Sequence, residues 1–331
     1  MNMEKDIQRS NYFKKDKKYK EKYPHAQIKK RDKLYNYDSD MHSQRETFKK
    51  IAHETHMAVE RGYFKMHIPD KNPKNLYNVP KINILTIPYI YYGPESKTKL
   101  EYTLEPTENN LDPQTTSIIF YKKTVIQACK IQYFTQSKPP CVLVFANAKN
   151  PGGGWLNGTQ GQEESIARCS ALYKACHDSP MYFINKNSKG LKGVYTDAIT
   201  YCPMVPIFRD ENGNYTNEIY YANFLLCPAV NVKIIKKNQQ QFPNNFFNSI
   251  IPMTKRIDKI LGIMSLQKQE TIILGAYGCG VFGNNPMTVA QIFKDLFKNK
   301  YQNVFDNIIF AIPDENTFQI FWNVFEMDKF N

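Results

Sequence analysis

Three consecutive polar residues, Gln162, Glu163 and Glu164, open a segment with helical spacing, seven residues after the glycine run Gly152, Gly153 and Gly154. Two carboxyls at such a place could do acid/base work, one of them giving up a proton and later taking one back. Neighbours on a helix point about 100° apart. Glu163 and Glu164 are therefore not expected to face one bond from opposite sides, as a pair of catalytic carboxylates does in many glycosidases. One is expected to do the chemistry while the other positions the loop or the substrate. A plainer reading stays open, in which acidic residues in a first turn simply favour the helix N-terminus.

The stretch NAKNPGGGWLNGTQGQEE (Asn147 to Glu164) follows a short apolar run, and a second glycine cluster, GAYGCGVFGNNP (Gly275 to Pro286), follows another. Glycines let the backbone approach a ligand and adopt positive φ. A loop that opens a helix can also turn several N–H groups toward an anion. Each loop taken singly is equally well a tight turn. Neither matches G-x-x-x-x-G-K-[ST], and the first has no G-x-G-x-x-G, which argues against a P-loop nucleotidase and a dinucleotide dehydrogenase.

Elements must hold these loops in place. CVLVFANA (Cys141 to Ala148), TIILGA (Thr271 to Ala276) and NIIFAIP (Asn307 to Pro313) have the pattern of strands buried on both faces. TSIIFY (Thr116 to Tyr121) is a further strand, and INILTIPYIYY (Ile82 to Tyr92) reads as extended. Helical spacing marks Thr124–Gln136, Gln162–Cys176, Thr254–Gln269, Pro286–Lys298 with Asn285 as its cap, and Thr317–Phe325. A helix over Ser43–Phe64 is expected to start on the capping box of Ser43 and Glu46 and to end at Gly62. Strands alternating with helices imply a mostly parallel sheet covered on both faces, and ligands of such sheets bind beyond the carboxyl ends of the strands, where both glycine loops fall.

The 331 residues carry 44 Lys+Arg against 31 Asp+Glu, a net charge of +13. The first 35 residues hold 12 of those cations and five acids, so +7 belongs to a polar arm and +6 to everything else. Residues 1–40 read as a basic, flexible tail and 41–331 as one domain. Contact of the tail with nucleic acid is a question for its deletion. The apolar content suffices for a sizeable core, which excludes a mainly disordered chain. There is no run of about 18 apolar residues, so no membrane span is expected. Seven cysteines without a C-x-x-C pair suit a reducing compartment such as the cytoplasm rather than a disulfide framework. His53 and His56 lack companions that would complete a metal site. Tyr89, Tyr91 and Tyr92 read as core or strand surface rather than as a base-stacking platform.

At this point the sequence resembles the microbial-type poly(ADP-ribose) glycohydrolases. GGG, then WLNGTQG, then QEE matches their GGG-x6–8-QEE signature. FANAKNPGGG before it, SALY (Ser170 to Tyr173) after it, YTDAITYCPMVPIFRDENG (Tyr195 to Gly213), CPAVN (Cys227 to Asn231), LGAYGCGVFGNNP (Leu274 to Pro286) and RETFKKIAHET (Arg45 to Thr55) are also similar. The likeness runs from about Gln44 to Ile312. It implies a macrodomain, a three-layer α/β/α sandwich around a mixed, mostly parallel sheet with an N-terminal helical extension. It further implies hydrolysis of the ribose–ribose bond in poly(ADP-ribose), which needs neither metal nor cofactor.

By motif position the resemblance makes Glu164 the catalytic acid/base and Glu163 the substrate-positioning glutamate. Asn147, Asn150, Gly152, Gly153, Gly154 and Gln162 would hold the terminal ribose. Gly275, Tyr277, Gly278, Cys279, Gly280, Val281 and Gly283 would wrap the diphosphate, with Phe282 against the ribose or adenosine part. Trp155, Tyr277 and Asn285 depart from the usual pattern without removing a chemical group that the mechanism needs. Expected partners are poly(ADP-ribose) or an ADP-ribosylated protein, with the chain acting as a monomer. Removal of a single ADP-ribose from a protein, including by an effector delivered into a host cell, and non-catalytic ADP-ribose reading stay open. The intact Gln162-Glu163-Glu164 favours an enzyme over a reader.

Overall fold

The computed structural model describes residues 28–66, 77–78, 89–96, 116–190, 192–241 and 248–326. Most of the basic arm and residues 82–88 of the expected extended segment lie outside them. The chain divides into two compact units, Met1–Thr47 and Phe48–Asn331. In the first unit the described residues belong to helix α1 (Ile28–Arg61). The expected capping box therefore does not start this helix. Ser43 lies within it, and its carbonyl accepts from Thr47 Oγ1 at 3.0 Å. No Gly or Pro interrupts Ile28–Arg61, and its many Lys, Arg and Glu are good helix formers. Gly62 closes the helix as expected, with φ at 75° and its N–H on Ala58 O.

The second unit is built on a seven-stranded sheet. A two-stranded pair, β1 (Lys65–Met66) and β2 (Tyr77–Asn78), stands apart from it. The main strands are β3 (Ile90–Tyr92), β4 (Ser117–Tyr121), β5 (Cys141–Phe145), β6 (Ile199–Arg209), β7 (Tyr215–Cys227), β8 (Thr271–Leu274) and β9 (Asn307–Ala311), in the order β3-β6-β7-β5-β8-β9-β4. Only β6 runs against its neighbours, so the sheet is mixed and mostly parallel.

Helices α2 (Val125–Gln136), α3 (Gln162–Cys169), α4 (Leu172–Cys176) and α5 (Pro180–Asn187) cover one face, and α6 (Val232–Gln241), α7 (Ile250–Leu266), α8 (Pro286–Asn299) and α9 (Glu315–Glu326) the other. The alternation of β5 shows why both faces need cover. Val142 and Val144 enter the core under α2–α5, while Cys141 and Leu143 enter the core under α6–α9. Tyr89 and Tyr91 pack on the first core and Tyr92 on the second, in keeping with their reading as strand surface.

One difference from the sequence expectation has a local cause. Gln162–Cys176 is not one helix but α3 and α4, broken at Ser170. That hydroxyl donates to Ile166 O at 2.7 Å and accepts from Leu172 N at 3.2 Å, while Ala171 N bonds Pro206 O and Ser170 forms a bridge to Ile207. A serine that bonds local backbone gives the chain an alternative to continuing the helix. Within the segment from Tyr195 to Gly213, residues Ile199–Arg209 form β6, which makes a long hairpin with β7 through the Asp210–Asn214 turn. This hairpin places the one reversed strand in the sheet.

Candidate active site

The parallel strands β7, β5 and β8 are neighbours, so the chain segments that leave their carboxyl ends converge. After β5, the residues Gln162, Glu163 and Glu164 each take a different task. Gln162 Oε1 accepts from Phe145 N at 2.9 Å and its Nε2 donates to Leu143 O at 2.8 Å, which fastens the start of α3 to the end of the strand. Glu163, 2% exposed, accepts from Asn147 N at 2.6 Å and from Gly152 N at 3.0 Å, one donor on each oxygen. Glu164 is half-buried and accepts from Gly154 N at 3.2 Å. A Cβ at Gly153, where φ is 60°, or at Gly161 would overlap the Glu164 carboxylate. The carboxylate thus sits in a slot between two residues that have no side chain.

Burial pushes the Glu163 carboxyl well above the usual range, and the charge of Glu164 adds to this, against the two N–H donors that pull it down. The loop itself is turned by Asn147, whose Oδ1 accepts from Lys149 N and Asn150 N, and by Gly153 N on Asn150 O. Beneath it lies Trp155, 2% exposed, on a short 3-10 turn (Trp155–Asn157). Its indole packs under Gly152, where a Cβ would come within 2.7 Å of Cδ1. The same indole meets Tyr173 at 5.2 Å and His56 of α1 at 6.3 Å between ring centroids.

The second glycine loop joins β8 to α8. Buried Asn284 pins it, donating through Nδ2 to Val230 O at 2.7 Å and Gly278 O at 2.9 Å. Gly278 and Gly283 have φ of 73° and 71°. The N–H groups of Tyr277, Cys279, Gly283 and Asn284 bond within the loop, whereas those of Gly278, Gly280, Val281 and Phe282 have no acceptor among the described residues. Gly280 is open on its side-chain face, Val281 is 79% exposed, and Phe282 faces Tyr195 with ring centroids 6.1 Å apart. Asn285 caps α8 by accepting from Thr288 N, as expected. A loop with four unengaged N–H donors beside an aromatic pair suits a diphosphate that carries a nucleoside.

Residues 2–210 match the family described as the catalytic domain of microbial-type PARG. The chain belongs to the microbial-type poly(ADP-ribose) glycohydrolase family. The chain is similar to the crystal structure of poly(ADP-ribose) glycohydrolase from Thermomonospora curvata, at 28% identity and TM-score 0.72, covering 85% of this chain and 100% of that one. The same bacterial enzyme bound to the inhibitor ADP-HPD gives 27% identity and TM-score 0.68 over 84% of this chain and 99% of that one. The Deinococcus radiodurans enzyme in complex with ADP-ribose gives 30% identity and TM-score 0.63 over 72% and 94%. No protein with a curated description matches the chain.

This chain is thus a glycoside hydrolase of the poly(ADP-ribose) glycohydrolase type, with the α/β/α fold that the resemblance implied. The structure brings Asn147, Asn150, Gly152, Gly153, Gly154, Glu163 and Glu164 together, and it gathers Gly278, Cys279, Gly280, Val281, Phe282 and Gly283 in the second loop. Three of the expected substrate-contact residues also have structural roles. Tyr277 is fully buried and donates its hydroxyl to Cys227 O at 3.1 Å, so it anchors the loop to the core. Gln162 has both ends of its amide on β5 and acts as a positioning residue. Gly275 is likewise structural, because a Cβ there would lie 2.9 Å from Ala311 O. Burial pushes the Cys279 thiol up to about 12, which keeps it protonated at neutral pH.

Sequence reasoning missed Arg256 of α7. It is 1% exposed and donates to Asp197 Oδ1, Val194 O, Pro228 O and Tyr195 O at 2.8–3.3 Å, joining the turn that carries Tyr195 to the end of β7. A cation among the apolar positions of a helix was the available signal. Asn284 and Tyr195 gave none.

Proposed function

We propose that this enzyme hydrolyses the ribose–ribose glycosidic bond of poly(ADP-ribose) and releases ADP-ribose, with Glu164 as acid/base and Glu163 as the residue that holds the first loop. The carrying observation is the division of labour between adjacent carboxyls: Glu163 is engaged by two backbone N–H groups, and Glu164 stands half-buried in the Gly153–Gly161 slot. Glu164 gives its proton to the departing ribose oxygen as the anomeric C–O bond breaks through an oxocarbenium-like state. It then takes a proton from the water that adds to that carbon, which restores the acid. Both transfers run between a carboxyl and oxygen and need no metal. The unengaged N–H groups of Gly278 to Phe282 receive the diphosphate, and Phe282 with Tyr195 receives the adenosine part.

The test offers poly(ADP-ribose), and proteins mono-modified on Arg, Ser or Glu, to the wild type and to Glu164→Ala, and follows free ADP-ribose. Release from the polymer by the wild type is expected. Glu164→Ala should lose at least about 10²–10⁴ in turnover, the span of general acid–base catalysis, yet still bind ADP-ribose. Release from a mono-modified protein alone would replace the polymer by a protein substrate. Binding with no release from any of them would make the chain a reader.

A further inference from the structure

The second glycine loop meets the start of α6. Asn231 caps that helix, its Oδ1 accepting from Ile234 N at 3.1 Å, and Lys233 N in the first turn donates to Phe282 O at 3.1 Å. The Lys233 side chain then runs along the loop. Its Cγ, Cδ and Cε lie 2.9, 3.5 and 3.1 Å from where a Cβ on Gly283 would fall, so a side chain at 283 would displace the lysine stem. The ammonium is one C–N bond, about 1.5 Å, beyond Cε, and so stays at the edge of this loop. Lys233 is exposed, and its Nζ has no hydrogen-bond or ion-pair partner among the described residues. Neither 228–241 nor 271–294 contains an acidic residue that could neutralise it. Two cations of α7 are committed elsewhere: Arg256 to Asp197 and three carbonyls, and Lys259 Nζ to Gly93 O, Pro94 O and Asp197 O.

The diphosphate of ADP-ribose carries a negative charge on each phosphate. The open N–H groups of Gly278, Gly280, Val281 and Phe282 are neutral dipoles, which solvate that charge without cancelling it. A lysine is a compact point charge on a flexible four-carbon stem, suited to a phosphate. We propose that Lys233 is the cation of the diphosphate subsite, its stem laid over Gly283 and its ammonium turned onto phosphate oxygens seated on the open N–H groups. Because the stem already lies against the loop, less rotamer freedom is lost when the ammonium engages. The diphosphate keeps its charge as the glycosidic bond breaks, so Lys233 strengthens binding of ground state and transition state alike. The inference rests on the proposed seating of the diphosphate on this loop.

The test compares wild type with Lys233→Met, which keeps an unbranched apolar stem over Gly283 and removes the charge, and with Lys233→Arg, which keeps the charge. Calorimetry with ADP-ribose at low salt should show Kd raised about five- to tenfold in the Met variant and within about twofold of wild type in the Arg variant. Added salt should weaken binding to wild type more steeply than to the Met variant, because an exposed ion pair is screened. KM for poly(ADP-ribose) should rise with Kd at constant kcat, and the melting temperature should not move. Lys233→Gln, whose side chain also covers Gly283, gives the same comparison where the Met variant does not fold. A Kd in the uncharged variant equal to that of wild type at low salt overturns the proposal. Equal losses in the Met and Arg variants overturn it too, since they assign the effect to packing of the stem. Failure of the wild type to bind ADP-ribose would instead sink the seating of the diphosphate on this loop, before any variant is compared.

Discussion

Glu163 and Glu164 are adjacent in sequence and chemically separate. The geometry that separates them is made by glycines, and it can be tested there. At Gly153 a methyl group would overlap Glu164 Oε1, and φ at 60° is strained for any L side chain. Gly153→Ala is therefore expected to lower kcat by about 10², because a misplaced acid loses most of its general-acid contribution, while circular dichroism shows the fold retained. Glu163 makes a different prediction. Its folded carboxyl holds a proton more tightly than an unfolded glutamate does, so its contribution to stability is fully present below the ordinary glutamate range and falls as pH rises through the folded value. Glu163→Ala also leaves Asn147 N and Gly152 N without their acceptor. The variant should thus be less stable than wild type at acid pH, with a gap in melting temperature that narrows toward neutrality. A gap that widens with pH would show a carboxyl held below its ordinary range.

At the scale of elements, the two loops are held from below by buried side chains. Trp155 joins the 3-10 turn to Ala52 and His56 of α1 and to Tyr173 of α4. Trp155→Ala should cost about 3–5 kcal/mol in denaturant unfolding, the usual range for emptying a large buried aromatic site, and Trp155→Phe distinctly less. Arg256 does the corresponding work under Tyr195. Replacing it by Leu strands the buried carbonyls that it satisfies, for about 3–5 kcal/mol, as when one partner of a buried pair is removed. The same variant should weaken ADP-ribose binding by loosening Tyr195, which calorimetry would read.

At the scale of the whole molecule, α1 from Phe48 onward is part of the catalytic unit and not an appendage. Thr55 Oγ1 donates to Arg168 O at 2.7 Å, the Arg168 guanidinium lies 4.2 Å from the centre of the Phe48 ring, and Glu54 pairs with buried Arg209 at 3.0 Å. These interactions tie α1 to α3 and β6, on which the first glycine loop is hung. A chain that begins at residue 48 is expected to keep its melting temperature and its kcat on poly(ADP-ribose). One that begins at residue 63 should lose both, because Arg168 and Arg209 are left buried without these partners. Equal behaviour of the two shortened chains would remove α1 from the site's support.

The sequence by itself determined the strands β4, β5, β8 and β9, the helices that alternate with them, and the placing of both glycine loops at strand ends. Each of these is written in local periodicity, caps and φ preference, which neighbouring residues set. Helical rotation of about 100° gave the expectation that adjacent carboxyls take different tasks, and the family resemblance gave Glu164 the acid/base role. Only the tertiary structure decided which carboxyl is held by two backbone donors, because Asn147 and Gly152 reach Glu163 through the folding of the loop between them. It set the Tyr277 side chain in the core, where its hydroxyl donates to Cys227 O, and fastened Gln162 to the end of β5. It also brought Arg256 to Tyr195 and the Lys192 segment to the helix of Lys233. Burial and charge compensation are sums over residues far apart in sequence, so no local pattern carries them.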